Sequence, residues 1–376
     1  MVLVSLNKQV FSEEEKQELF ERIWEINPEF DNKGTWFWWF WLFYFENKEN
    51  PKKPHQLMIL WSTKNEKEIY CNTKIFKFPN KIKIEKNKFS FDGVVACWYF
   101  DGEMHHNYLL EAGDMTLTKK PYSLNLNSEN KTSFYEKDGE FKVIINKGDK
   151  NFDFDLKMDS TDEFVKPTYS RNNYGGNYSY SGLGIPKVDF TGSISEAGKN
   201  EKISGTAYFQ YIVVNAPVPS WYWGHFHFKE GSILSYFNPH IGPAILKGNL
   251  TKRFIEEGNI SLGDNLTFAN KKSGKKEQFK VKKVKNKKNS EGYPLFLVYA
   301  ENKEAKLSFE VDCYAGSYWE FDKKTLGHIN TRLRYNEYPS KVKNLVLIDK
   351  KGKELVTSKE IGEGVGNAEH SWGLLI

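Results

Sequence analysis

The chain has 376 residues, 39% hydrophobic, 27% charged and 16% aromatic, with a net charge of +5. That is the composition of a folded soluble protein, and the length fits two domains, each able to bury its own core. Three cysteines, Cys71, Cys97 and Cys313, with no CxxC spacing, argue against a disulfide framework and fit a reducing compartment.

The first predicted element is a helix. Ser12 caps it, Glu15 completes a capping box, and Leu19, Phe20, Ile23 and Trp24 form one apolar face before Pro28 and the following DNKG end it. The residues before it are too sparsely apolar for a signal peptide, so a cytoplasmic location is expected. From residue 35 the pattern has period two. TWFWWFWLFYF (35–45) puts nine aromatics in eleven positions, too short a run to span a bilayer, which needs about 20 residues. Trp36, Trp38, Phe40, Leu42 and Tyr44 fall on one side and Phe37, Trp39, Trp41, Phe43 and Phe45 on the other. A strand apolar on both faces is buried on both. In a barrel wall one face meets the lumen and the other a second layer, either the N-terminal helix or a second domain. Rings on the lumen side either line a place for a large apolar ligand or fill a dry core.

Further strands are predicted at 56–62, 68–78, 81–93, 94–100, 115–118, 123–127, 140–146, 152–158, 206–214, 296–300, 307–314 and 344–350, separated by turns such as KDGE (137–140), KEGS (229–232) and KKGKE (350–354). Many short strands with frequent turns imply an all-β sandwich or barrel. PTYSRNNYGGNYSYSGLG (167–184) is a loop or an extended segment carrying tyrosines. NAPVPS (215–220) is the clearest linker and divides the chain into domains 1–215 and 216–376, each with enough strands to close a small barrel. The ten lysines of KKSGKKEQFKVKKVKNKK (271–288) read as the solvated face of an edge strand rather than a nucleic-acid or acidic-lipid patch. GEGVGNAEHSWG (362–373) reads as a loop or tail, and His105-His106 and EAGDM (111–115) as loop or turn. Cys71 and Cys97 sit among apolar strand residues and are expected to be buried inert thiols.

His225, His227 and Trp223 alternate along one strand and so share a face. Two imidazoles at i, i+2 suit a metal if a third ligand joins them, or general acid–base work near neutral pH, or hydrogen bonding to the wall.

Several segments resemble, in order, the carotenoid 1,2-hydratase / AttH-like family of double lipocalin-like proteins. TWFWWFWLFYF resembles its opening "E-W-W-Y" strand. YSYSGLGIPKVDFTGSISEAGKNEKISGTAYFQY (178–211) resembles its middle, with Tyr178, Ser179, Gly192, Gly198, Gly205, Ala207 and Tyr208 in the matching places. SWYWGHFHFKEG (220–231) resembles the hairpin that begins its second domain, and GSYWEF (316–321) its late "Y-W-E" element. The resemblance implies an all-β fold of two lipocalin-like antiparallel β-barrels with a short N-terminal helix and a large apolar cavity, no metal and no organic cofactor. It also implies hydration of isolated alkenes or cyclisation of polyenes. Hydration needs a buried acid and aromatic faces for the cation. The hydratases carry aspartates where Gln210 and Asn238 stand here, and an amide cannot deliver a proton.

The sequence therefore leads to a protein that binds a large hydrophobic molecule, a terpenoid, polyene or lipid, and that acts on it as a cofactor-free lyase, cyclase or isomerase or only carries it; a solid structural barrel is a third reading. Trp38, Tyr208, Gln210, Trp223, His227 and Asn238 are the expected ligand-binding residues, with Tyr236 and His225 as proton carriers. No nucleic-acid partner and no transmembrane segment are expected, which leaves room for transient contact with a membrane surface.

Overall fold

The computed structural model describes residues 21–24, 26, 32–78, 82–137, 139–157, 164–175, 178–241, 260–325 and 329–375. The predicted N-terminal helix lies outside the described residues except for its end, where Glu21 and Arg22 are helical. The described chain is otherwise almost entirely strand, with one short helix at Ser358–Ile361. It forms two compact units, one built mainly from residues 32–69 and 74–216 and the other from 70–73 and 217–375.

Each unit is a closed antiparallel barrel. In the first, the strands Trp36–Phe45, His55–Lys64, Lys88–Phe100, Met104–Thr118, Ser123–Asn127, Lys131–Lys137, Glu140–Lys147 and Lys150–Lys157 run round the wall. Tyr178–Glu196 then pairs with Lys150–Lys157, and Lys199–Asn215 pairs with Trp36–Phe45 to close the ring. In the second, Ser220–Phe228, Ile233–Ile241, Asn265–Asn270, Lys275–Lys288, Pro294–Glu301, Ala305–Cys313, Ile329–Asp349 and Gly364–Leu374 do the same. Closure comes from pairing of Ala305–Cys313 with Ile329–Asp349 and of Ser220–Phe228 with Gly364–Leu374. The strand Ser317–Thr325 extends the long strand Ile329–Asp349 beyond the ring, and Tyr70–Cys71 pair with it.

The aromatic segment shows how the first barrel is filled. Phe37, Trp39, Trp41, Phe43 and Phe45 face the lumen and join one core with Trp61, Phe134, Phe141, Phe152, Phe154 and Phe209. Ring centroids lie 4.0 Å apart for Phe43 and Phe154 and 4.6 Å for Trp41 and Phe209. Ile23 and Trp24 enter the same core, where Trp24 lies 4.6 Å from Phe134 and the Ile23 carbonyl accepts from Trp39 Nε1 at 2.7 Å. These rings pack against one another, as a core does. Trp36, Trp38, Phe40, Leu42 and Tyr44 point to the outer face of the wall.

Three local expectations change. The lysine-rich segment is not an edge strand: Lys275–Lys288 lies between Asn265–Asn270 and Pro294–Glu301, because a closed ring has no edge, and its lysines solvate the outer wall. The slip in its apolar pattern is a bulge between Val281 and Lys283. Within 167–184 the extended alternative holds, with Thr168–Gly175 paired to Tyr178–Glu196. His105, His106 and 111–115 belong to the strand Met104–Thr118, in which His105 Nε2 meets Asp101 Oδ1 at 2.9 Å. The glycine-rich 362–373 segment is mostly the strand Gly364–Leu374. Its glycines allow close backbone approach: a Cβ on Gly366 would lie 2.0 Å from the His225 carbonyl oxygen. Cys71, Cys97 and Cys313 are buried and form no disulfide.

Phe134 touches Trp24, Trp41, Trp61, Phe141 and Phe209. Phe134→Ala should cost about 3–5 kcal/mol in urea unfolding; a loss below about 1 kcal/mol would mean that the first lumen is not close-packed.

Candidate functional site

Alternation gives the second barrel two different surfaces. Tyr222, Phe226, Phe228 and Tyr236 face its lumen and belong to its apolar core. Trp221, Trp223, His225 and His227 therefore point to the outer face. The register extends that face across three more strands. One row holds Trp223, Glu369, Glu337 and Ser317 as successive cross-strand partners. The next holds Ser235, His225, Asn367 and Pro339, and the one beyond it Ile233, His227, Val365 and Lys341. On the other side, Ser371, Tyr335 and Trp319 continue the grid, with the Trp221 ring 5.4 Å from Tyr335.

The centre of this face is polar and buried. Glu337 and Asn367 are both 0% exposed, and His225, His227, Glu369 and Ser371 are also buried. Trp221 Nε1 donates to Glu369 Oε2 at 2.6 Å, and Trp319 Nε1 donates to Glu337 Oε1 at 2.8 Å. His225 Nε2 and His227 Nε2 lie 3.0 Å apart, so one ring donates and the other accepts, while His225 Nδ1 meets Ser235 Oγ at 2.6 Å. Trp223 stacks along His225 with centroids 6.2 Å apart.

Two glutamates directly opposite one another have Cβ atoms about 5 Å apart. Burial, then the neighbouring Glu337 charge, pushes the Glu369 carboxyl well above the ordinary carboxylate range, against the opposing pull of the Trp221 N–H. Both causes favour the protonated form of Glu369. This is a carboxylic acid walled by indoles, the combination that protonation of an apolar substrate requires. Burial, with the two glutamates next, likewise raises the Tyr335 phenol well above its usual range, so it stays neutral.

The residues expected from sequence fall into separate places. Trp223, His225 and His227 share the outer face of the second barrel. Tyr236 points the opposite way, into that barrel's lumen, where its ring lies 6.0 Å from Phe309 and its hydroxyl has no hydrogen-bond partner among the described residues. Burial raises its phenol well above the usual range, away from what a proton carrier near neutral pH needs. Asn238 shares the lumen parity and donates to Ser261 Oγ at 2.9 Å and to the Gly263 carbonyl at 2.8 Å. In the first barrel, Trp38, Tyr208 and Gln210 lie together on the outer face. Tyr208 donates to Gln210 Oε1 at 2.9 Å, and Phe40, the cross-strand partner of Gln210, lies 6.5 Å from Tyr208.

Sequence reading missed Glu337, Asn367 and Glu369. The available signal was the alternation Asn367, Glu369, Ser371 around Ala368 and His370, which marks a strand with a polar face. Among the described residues, no group of three His, Cys, Asp or Glu is placed to hold a metal ion, and no helix is long and apolar enough to cross a membrane.

No protein-family model matches the sequence, and no curated protein matches it. Solved structures do match the fold. An AttH protein of Nitrosomonas europaea, 12% identical, aligns over 98% of this chain and 98% of its own with a TM-score of 0.50. CghA, solved with Sch210972, is 7% identical over 91% of this chain and 88% of its own, at 0.53. Kievitone hydratase of Nectria haematococca is 10% identical over 93% of each chain, at 0.42. The chain has the double-barrel, lipocalin-like fold. At these identities the likeness is one of fold.

The raised Glu369 carboxyl has a thermodynamic consequence. The unfolded chain releases this proton near pH 4.3 while the folded chain holds it, so its contribution to stability is complete below that pH and declines as pH rises toward the folded value. Between pH 5 and 7, Glu369→Gln should flatten the fall of urea stability with pH by about 1 kcal/mol per pH unit. Parallel curves for the two proteins would show that the pair carries no retained proton.

Proposed function

We propose that this protein binds a large hydrophobic molecule, a polyene or terpenoid, against the outer face of its second barrel and acts on it as a cofactor-free lyase, cyclase or isomerase. The observation that carries the reading is the buried Glu337/Glu369 pair, each carboxyl bonded to an indole N–H. Gln210 and Asn238 cannot supply a proton; Glu369 can. With Oε2 held by Trp221, the remaining oxygen is the one to present a proton to an alkene or carbonyl. Trp223 offers a ring face to positive charge that develops, worth about 1–2 kcal/mol when desolvated. His225, linked to His227 and Ser235, suits the return of the proton. The fold likeness to AttH and CghA supports a hydrophobic-ligand role, and CghA is itself a structure solved with a bound compound.

Mass spectrometry after incubation with a lipid extract tests this. The wild-type chain should retain and convert a hydrophobic compound. Glu369→Gln should retain it with turnover reduced at least about 100-fold, the scale of a general acid's contribution, and Tyr236→Phe should turn over normally. Retention without conversion by the wild-type protein would make it a carrier. Full turnover by Glu369→Gln would exclude this carboxyl as the acid.

A further inference from the structure

The Asn367 side chain is completely buried in the middle of the candidate face, and neither its Nδ2 nor its Oδ1 has a hydrogen-bond partner among the described residues. Two other buried asparagines, Asn47 and Asn270, are engaged. Asn47 accepts from the backbone N–H groups of Glu49 and Asn50 and donates to the Lys53 carbonyl, and Asn270 accepts from Ser273 N–H. Those side chains shape turns. Asn367 lies within a wall strand, where asparagine is disfavoured, and it shapes no turn. A buried amide with a free donor and a free acceptor is destabilising unless something fills both.

Its surroundings define what that something is. Across the sheet stand His225 on one side and Pro339 on the other, and along its own strand Val365 and Glu369. His225 is engaged with His227 and Ser235, and Pro339 has no N–H. Asn367 thus presents one N–H donor and one carbonyl acceptor side by side, next to a carboxyl pair that disfavours an anion. A carboxylate would lack the donor and meet the Glu337/Glu369 charge. A primary amide, whose C=O and one N–H lie side by side, complements both atoms of Asn367 and brings no charge.

We propose that Asn367 is the head-group recognition residue of this face and selects hydrophobic ligands that carry a primary amide. The proposal rests on the hydrophobic-ligand reading above and adds to it the chemical class of the polar end. Glu369, one residue pair along the strand, then stands over the part of the ligand next to that head group, which places the proton transfer near the amide and not at the far end of the apolar body.

The test uses two polyene probes of similar length, retinamide and retinyl methyl ether, with tryptophan emission of the full chain as the binding signal. The wild-type protein should bind retinamide about tenfold tighter or more, the scale of an added paired hydrogen bond. Asn367→Leu should abolish that preference by weakening retinamide alone, leaving the ether within about twofold. Ligand-free Asn367→Leu should also match or exceed the wild type in urea midpoint, because the substitution removes an unsatisfied buried amide; a structural asparagine would give the opposite. Asn367→Ala, which adds no bulk, must lose the same preference. Equal binding of both probes to the wild type, or a preference surviving in either variant, overturns the head-group assignment alone. Binding of neither probe to the wild type contradicts the hydrophobic-ligand reading and the assignment together.

Discussion

Two carboxyl groups directly opposed on neighbouring strands and withheld from water are the constraint around which the candidate site is organised. Like charges in that position repel, and each ionised carboxylate would lose its hydration. Burial and the facing Glu337 push the Glu369 carboxyl up, which shifts the pair toward sharing a proton and eases the conflict. The indole N–H groups of Trp221 and Trp319 fix one oxygen of each. A carboxyl raised in this way holds its proton more tightly than an ordinary one, which favours the protonated form a general acid needs when its substrate arrives.

The barrel makes this arrangement affordable. Its stability comes from the lumen side, where Tyr222, Phe226, Tyr236, Phe296 and Phe309 pack with aliphatic neighbours. The opposite side of the same strands is then free to carry His225, His227, Asn367, Glu337 and Glu369. Successive residues of one strand thus divide into packing and chemistry. Trp223 and Phe226 are three positions apart in sequence and belong to different surfaces. In the first barrel the division runs the same way: Phe37, Trp39 and Trp41 fill the lumen, while Trp38, Tyr208 and Gln210 stand outside.

Much of the fold was legible because period-two alternation survives in most strands. The aromatic strand 35–45, the hairpins near 140–158 and the run from 294 to 313 follow it closely. The strand Gly364–Leu374 was hidden by glycines that read as loop but serve close backbone contact. The internal position of the lysine strand was hidden because barrel closure depends on pairings far apart in sequence. The shared face of Trp223, His225 and His227 was readable from alternation. Glu337 and Glu369 were not, because alternation places a glutamate on a face without saying whether that face is wet. Their opposition depends on the register between strands some 30 residues apart, which no local pattern encodes.

Infrared spectroscopy of the retained proton is the most direct test. At neutral pH, the ligand-free wild-type protein should show the carbonyl stretch of a protonated carboxylic acid, and that band should vanish in Glu369→Gln and persist in Tyr236→Phe. A wild-type spectrum with ionised carboxylates alone would contradict the shared proton and, with it, the acid chemistry assigned to this face.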